Sequence, residues 1–437
     1  MTATAQGSRK LPPGPAQPCD LNTTPESFDT IAGLIAEYGD ICRLTSETRK
    51  SDSYLVNNPE YLKHILVKNH QNYTKGVGFD RVKMLLGNGI IVSDGPFWRR
   101  QRRMIQPAFS RKVIAELSEQ IKRCNLELLE AWEDKADRGE TIDITTEASE
   151  LALQIVLRSL FSDDLDHIIE QHGSNPFSIL TEDMTRDMQL VLKFRALTKI
   201  ILALIEERRR EKPERIDFLA MFMDSRDKET DEAMTDQELL DEVMTMIIAG
   251  HETSAITLNW VWYFVARYPE VEKKLHAEVD QANYELIPGF EQLDQLPYVK
   301  QVVEEALRYY PPVWLYTRRA INDDQLGEYF VPAGTDIFIS PYYLHRHPTY
   351  WKDAEKFDPE RFAEQNIKHQ HKQAYIPFSA GPRRCIGDFF ATVEMQIHFG
   401  LMARKFRLQL VDEQTPELEP AVNLRNKYSI YMQLSRR

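Results

Sequence analysis

The chain is predicted to fold as a mostly α protein with a minor β portion, built as a single large domain. Three observations predict this. Apolar residues recur with helical spacing over long stretches. The β-type pieces are short and bounded by proline and glycine. Within the 437 residues there is no internal repeat and no linker long enough to separate independent units. With 42% hydrophobic and 28% charged residues the chain can bury a large core and is too apolar for disorder. Its 67 Asp+Glu against 54 Lys+Arg give a net charge of −13, which excludes a general nucleic-acid binder.

Taken in order, residues 1–27 read as an irregular arm stiffened by Leu11-Pro12-Pro13-Gly14-Pro15. The opening MTATAQGSRK lacks the apolar stretch of a secretion signal or anchor. Residues 28–437 form the expected domain. A helix is predicted over Asp29 to Tyr38, then short strands at Ile41 to Leu44 and Tyr54 to Val56, then a helix from Pro59 to Lys68. Helical periodicity then dominates: Trp98 to Arg103, Arg111 to Asp137, Thr145 to Phe161, Met188 to Glu211, Ile216 to Asp224, Asp236 to Ala266, Pro269 to Asn283 and Tyr298 to Tyr310. The chain closes with a helix from Phe389 to Lys405 and strands at Phe406 to Val411 and Tyr428 to Leu434.

One stretch is long enough to span a bilayer. Val243 to Ala266 carries only His251 and Glu252 as charge-bearing types, and at about 1.5 Å per residue it would reach roughly 36 Å. An acid beside an imidazole at mid-bilayer costs several kcal/mol, and no second such span pairs with it. A buried helix crossing the protein, with a polar notch at its middle, is the expected form. The four cysteines (Cys19, Cys42, Cys124, Cys385) are scattered without a C-x-x-C pair, which argues against a disulfide framework or zinc ribbon and for a reducing, cytoplasmic setting.

Cys385 stands apart in its surroundings: Phe378-Ser379-Ala380-Gly381-Pro382-Arg383-Arg384-Cys385-Ile386-Gly387. Glycines on both sides permit tight turns. Two arginines favour a thiolate, and the start of a helix just beyond can point N–H groups at the sulfur. With no nearby base in the sequence, metal ligation is a better reading than nucleophilic attack.

Phe378, Gly381, Arg383, Cys385 and Gly387 together resemble the haem-binding signature of the cytochrome P450 superfamily. In that family the cysteine thiolate is the proximal ligand of haem iron, and its electron donation favours O–O cleavage. Other segments extend the resemblance across the chain. Glu305-Ala306-Leu307-Arg308, followed by Phe357-Asp358-Pro359-Glu360-Arg361-Phe362, resembles the family's Glu-x-x-Arg helix and Pro-Glu-Arg-Phe segment, which implies that Glu305, Arg308 and Arg361 form a buried network serving folding and haem retention. Ala249-Gly250-His251-Glu252-Thr253-Ser254 resembles the oxygen-activating motif, with Glu where many members have Asp. There Ala249 and Gly250 would leave room for dioxygen, while Glu252 and Thr253 supply an acid and a hydroxyl. A Thr hydroxyl bonding back to the preceding turn also explains such a notch as a simple kink. Trp98 and Arg102 resemble the helix that holds haem propionates, with Arg383 and Arg319 as further candidates; Arg318 lies beside Arg319 and the register is open.

The resemblance implies haem b as cofactor and a monooxygenase that inserts one atom of O2 into an apolar fatty acid, terpenoid or steroid. No flavin, nicotinamide or iron–sulfur motif is present, so electrons are expected from a separate ferredoxin or flavodoxin with its reductase. Arg99, Arg100, Arg103, Arg111, Lys112 and Arg384 are the candidates for its basic docking patch. A peroxygenase or isomerase, or a haem carrier or sensor, would use the same ligation but have less need of Glu252 and Thr253. His345-Arg346-His347 and His369-Gln370-His371 have metal-like spacing, but no third ligand accompanies them, so a structural role is expected.

Overall fold

A helix of 32 residues, Asp236–Arg267, runs through the middle of the molecule. It starts where Thr235 Oγ1 accepts the Glu238 N–H while Glu238 Oε2 accepts the Thr235 N–H, a reciprocal cap that satisfies two otherwise orphaned donors. It stops at Pro269, which forces Tyr268 into an extended conformation. From Ser254 to Val265 every side chain is buried, because the helix is covered on all sides, chiefly by Ile144–Phe161, with Pro297–Tyr309, Phe406–Leu410 and Asp388–Lys405 among its other neighbours. The structure is a computed structural model that describes residues 9–181, 188–413 and 415–437.

A five-stranded sheet lies to one side, in the order Ile41–Leu44, Ser53–Val56, Asp336–Ile339, Tyr316–Ala320, Tyr73–Lys75. Only the pairing of Ser53–Val56 with Asp336–Ile339 is parallel. Its register places Arg318 opposite Lys75 and Arg319 opposite Asp336. Smaller sheets join Thr141–Asp143, Tyr431–Arg436 and Phe406–Leu410, and a hairpin pairs Leu418–Pro420 with Leu424–Asn426. The mostly α architecture with minor sheets is therefore as expected.

Most helices fall within three residues of their sequence limits, and Arg111–Asp137 coincides with them. Pro59 to Lys68 is not one regular helix. It tightens to Pro59–Lys63 and continues as a wider-wound turn over His64–Lys68. The first eight residues of the expected arm lie outside the described residues. The remainder is tied to two strands: Arg43 N–H donates to Pro13 O and Cys19 N–H to Thr45 O beside Ile41–Leu44, and Phe330 N–H, on the separate hairpin strand Tyr329–Val331, donates to Lys10 O. The first helix starts at Pro25, so the arm ends slightly earlier than expected. Among the described residues no helix is long and apolar enough to cross a membrane.

Candidate active site

The cysteine loop is held by its own backbone. Cys385 N–H donates to Phe378 O at 2.9 Å, and Arg384 N–H to Gly381 O at 3.0 Å. Gly381 has φ +70°, and a Cβ there would run into the Leu66 carbonyl, so only glycine fits. At Gly387 a side chain would meet only ordinary contact with Phe109; what this position supplies is its N–H, directed at the Cys385 sulfur. Phe378 packs its ring against the main core.

Cys385 is exposed in area, unlike buried Cys42 and Cys124, yet burial among surrounding atoms is the largest influence on its thiol and pushes its pKa up. The sulfur is thus accessible in area yet closely surrounded by protein atoms. The Gly387 N–H, Arg102 and Arg384 pull the other way without prevailing. The groups nearest the sulfur thus polarise it towards a thiolate against the cost of desolvation, and a cation sharing the site would add to their side. Arg102, rather than Arg383, joins Arg384 beside the sulfur, and its guanidinium donates to Arg384 O at 3.0 Å.

Beside the cysteine loop sits a cluster of cations. Lys75 and Arg318 face each other across neighbouring strands, and Arg383 is close enough to both to depress the Lys75 ammonium further, after desolvation and Arg318. Arg318 is 5% exposed and its own pKa is lowered by burial. Arg383 lies 4.1 Å over the Trp98 ring, donates to Ser93 O at 3.0 Å and pairs with Asp94; burial lowers its pKa to about 10. Like charges directly opposite on a sheet are unfavourable, and Asp94 is the carboxylate common to all three. The set fits a ligand with two carboxylates. The sequence candidate Arg319 is corrected here. Strand alternation turns it towards Asp336, which it grips at 2.8 and 3.0 Å, and Arg318 takes the place beside Lys75.

On the central helix, Thr253 Oγ1 donates to Ala249 O at 2.6 Å, the back-bond expected of a kink. Burial raises the Glu252 carboxyl, against the pull of an Asn423 hydrogen bond and the Arg425 charge. At Gly250 a Cβ would stand 3.0 Å from Val156 Cγ2, so its small size also serves the close packing of Ile144–Phe161. His251 turns away, bonded to Ser149 Oγ at 3.0 Å, with burial lowering it to about 4. Sequence reasoning missed Glu394, which accepts from Ser254 Oγ at 2.8 Å and is pushed up to about 8 by burial.

Glu305 and Arg308 are both 0% exposed and joined by two bonds of 2.6 and 2.8 Å, with Arg361 Nε 3.4 Å from Glu305 Oε1. Asp358 N–H also donates to Glu305. His345 extends the network. Its Nε2 accepts from Ile376 N–H at 2.9 Å, which leaves the proton on Nδ1 to donate to Arg308 O. His347 and His371 bind Asp40 and Glu60, and among the described residues no group of three ligands could hold a metal ion.

Comparison with known proteins decides the family. The cytochrome P450 family model matches residues 20–432. The chain belongs to the cytochrome P450 family. It is 34% identical over 377 residues to cyclooctat-9-en-7-ol 5-monooxygenase of Streptomyces melanosporofaciens, covering 83% of this chain and 81% of the relative. It is 30% identical to pentalenene oxygenase of Streptomyces avermitilis, over 86% and 85% of the two chains. It is 32% identical to LUTEIN DEFICIENT 5 of Arabidopsis thaliana, over 89% and 70%. The crystal structure of the cytochrome P450DA heme domain shares the fold, with a TM-score of 0.84 over 98% of each chain at 23% identity. This P450 is a haem-thiolate monooxygenase. The expected docking patch is partly neutralised: Arg103 binds Asp227 and Glu229, Arg100 binds Glu238 and Arg384 binds Asp388. Arg99 and Lys112 remain exposed.

Proposed function

We propose that this P450 inserts one oxygen atom from O2 into a bulky apolar terpenoid. The observation that carries the site assignment is the pairing of an accessible but deep Cys385 with the adjacent Lys75, Arg318 and Arg383 cluster. Cys385 would ligate the iron of haem b. Trp98, Arg102, Arg383 and Arg318 would surround its propionates. Haem bound there supplies dioxygen activation and atom transfer.

The chain's own residues do the rest. Glu252, its carboxyl raised by burial above its ordinary value, is the acid at the notch. Thr253 Oγ1 can exchange its bond to Ala249 O for one to the oxygen side of the site and pass a proton on. Glu305, Arg308 and Arg361 hold the segments beneath the cysteine loop, and apolar side chains before Ala249, between Phe79 and Ile91, and from Val313 to Thr317 would exclude water from the substrate. The terpenoid class is favoured over fatty acid or steroid by the printed names of two relatives, a cyclooctatenol monooxygenase and a pentalenene oxygenase. Electrons would come from a ferredoxin or flavodoxin in the cytoplasm, docking at a surface that includes Arg99 and Lys112.

The test is titration of the haem-loaded protein with cyclic sesquiterpene and diterpene hydrocarbons, fatty acids and steroids, read as a change in haem absorbance. Turnover under labelled O2 with a ferredoxin system follows. Saturable change with terpenes and one labelled oxygen in the product is expected. Binding confined to fatty acids or steroids, or product unlabelled from O2, overturns the proposal.

A further inference from the structure

Two successive carboxylates on the central helix take hold of a segment from a different part of the chain. Asp241 Oδ2 accepts the Asn88 N–H at 2.7 Å, and Glu242 Oε2 accepts the Ile90 N–H at 3.0 Å. The segment lies flush against the helix. Gly87 has φ +71°, and a Cβ there would collide with the Asp241 carboxylate; one at Gly89 would collide with Thr245 and the Asp241 carbonyl. Main-chain donors rather than side chains make this contact, so the fit depends on the glycines and on the two acids.

Glu242 is the unusual member. It is 0% exposed, and its other oxygen accepts from Gln101 Nε2 at 3.1 Å. The charged and titratable groups around it are few. On its own helix Asp241 and Glu238 add negative charge. On Gly95–Ile105, Arg100 reaches Glu238 at 2.9 Å and the Gln101 oxygen at 2.8 Å, and so does not neutralise Glu242 directly. Residues 87–91 carry no ionisable side chain. Burial is the largest influence and raises the carboxyl to about 7, over the opposing hydrogen bonds from Ile90 and Gln101.

We propose that Asp241 and Glu242 are positioning residues that clasp residues 87–91 to the central helix, and that the clasp loosens when Glu242 ionises. The sign follows from linkage. The closed form binds the Glu242 proton more tightly than an open form in which water reaches the carboxyl, so rising pH favours opening. The same segment runs on to Ser93 and Asp94, the partners of Arg383, so the clasp also sets one edge of the cationic cluster. Its consequence for substrate entry rests on the proposed placement of residues 79–91 in the wall of the apolar site.

Amide hydrogen exchange of the haem-loaded protein tests the clasp without reference to activity. After correction for the intrinsic pH dependence, protection of a peptide covering residues 87–92 should fall between pH 5.5 and pH 8. The fall over this interval should be at most roughly 30-fold if opening fully hydrates a carboxyl raised from 4.5 to about 7. Glu242→Gln, which cannot ionise, should show no such fall. Asp241→Ala, which removes the acceptor, should expose Asn88 at every pH while Ile90 keeps its pH response. Unchanged protection in the natural protein, or a full pH response retained in Glu242→Gln, overturns the clasp. Titration with farnesene as an apolar probe reads the other part separately. Equal affinity in the natural protein and Glu242→Gln at pH 8, with exchange as expected, removes residues 87–91 from the substrate wall and leaves the clasp standing.

Discussion

Replacing Glu305 by Gln removes one charge from a pair from which water is excluded. The shape is kept, and so is an acceptor for the Asp358 N–H. What is lost is the anion opposite Arg308, whose guanidinium is 0% exposed and is left with the carbonyls of His345 at 3.0 Å and Lys356 at 3.3 Å. Burial raises the Glu305 carboxyl even beside two arginines, so desolvation already consumes much of the Coulomb gain. The pair is therefore a weak source of net stability but expensive to break from one side, at about 3–5 kcal/mol. With an unfolding entropy of about 2.1 cal/mol/K per residue, 437 residues convert this into a melting-temperature drop of roughly 3–5 °C. Guanidinium unfolding of the haem-loaded protein, followed by tryptophan fluorescence and by haem absorbance, gives both the loss and its effect on cofactor retention. Glu305→Asp, which keeps the charge, should recover part of it. A loss below about 1 kcal/mol in Glu305→Gln would refute the reasoning, because it would mean that the buried guanidinium needs no anion.

Other outcomes follow from the same geometry. Arg318→Ala should speed haem transfer to an apoprotein acceptor by roughly 10- to 100-fold, the equivalent of one charge-assisted hydrogen bond, whereas Arg319→Ala should leave transfer near the natural rate and lose only the Asp336 pair. Thr253→Ala should lower product formed per electron consumed and raise peroxide release, measured by oxygen uptake against product; unchanged coupling counts against a proton role for this hydroxyl. Glu394, with its carboxyl raised from 4.5 to about 8, holds its proton more tightly when folded, so its contribution to stability falls as pH rises from about 4.5 to 8. Urea unfolding at pH 5, 6.5 and 8 should show the natural protein losing stability relative to Glu394→Gln as pH rises; a constant gap contradicts the assignment.

The helical frame was legible because long amphipathic or fully apolar runs state their own period and their own ends, as in Arg111–Asp137 and Asp236–Arg267. The short strands Tyr316–Ala320 and Asp336–Ile339 were not placed from sequence, and with them went the register that separates Arg318 from Arg319. Adjacent arginines look alike in one dimension, and only the pairing with Asp336 shows which of them faces outward. The packing of Gly250 against Val156 was not legible because Val156 lies on another helix. The clasp of Asp241 and Glu242 had no sequence signal at all, since its donors are backbone N–H groups. The Glu305, Arg308 and Arg361 contacts were legible through family likeness, while His345, set aside as one of a histidine pair, proved to join that network to the chain leading into the cysteine loop.

X-ray absorption at the iron edge, recorded on haem-loaded protein and on Cys385→Ser, tests the central claim most directly. A sulfur atom in the first coordination shell of the natural protein, absent from the variant, is the predicted result. A shell of nitrogen and oxygen alone in freshly folded natural protein, or a sulfur that persists in Cys385→Ser, would contradict it.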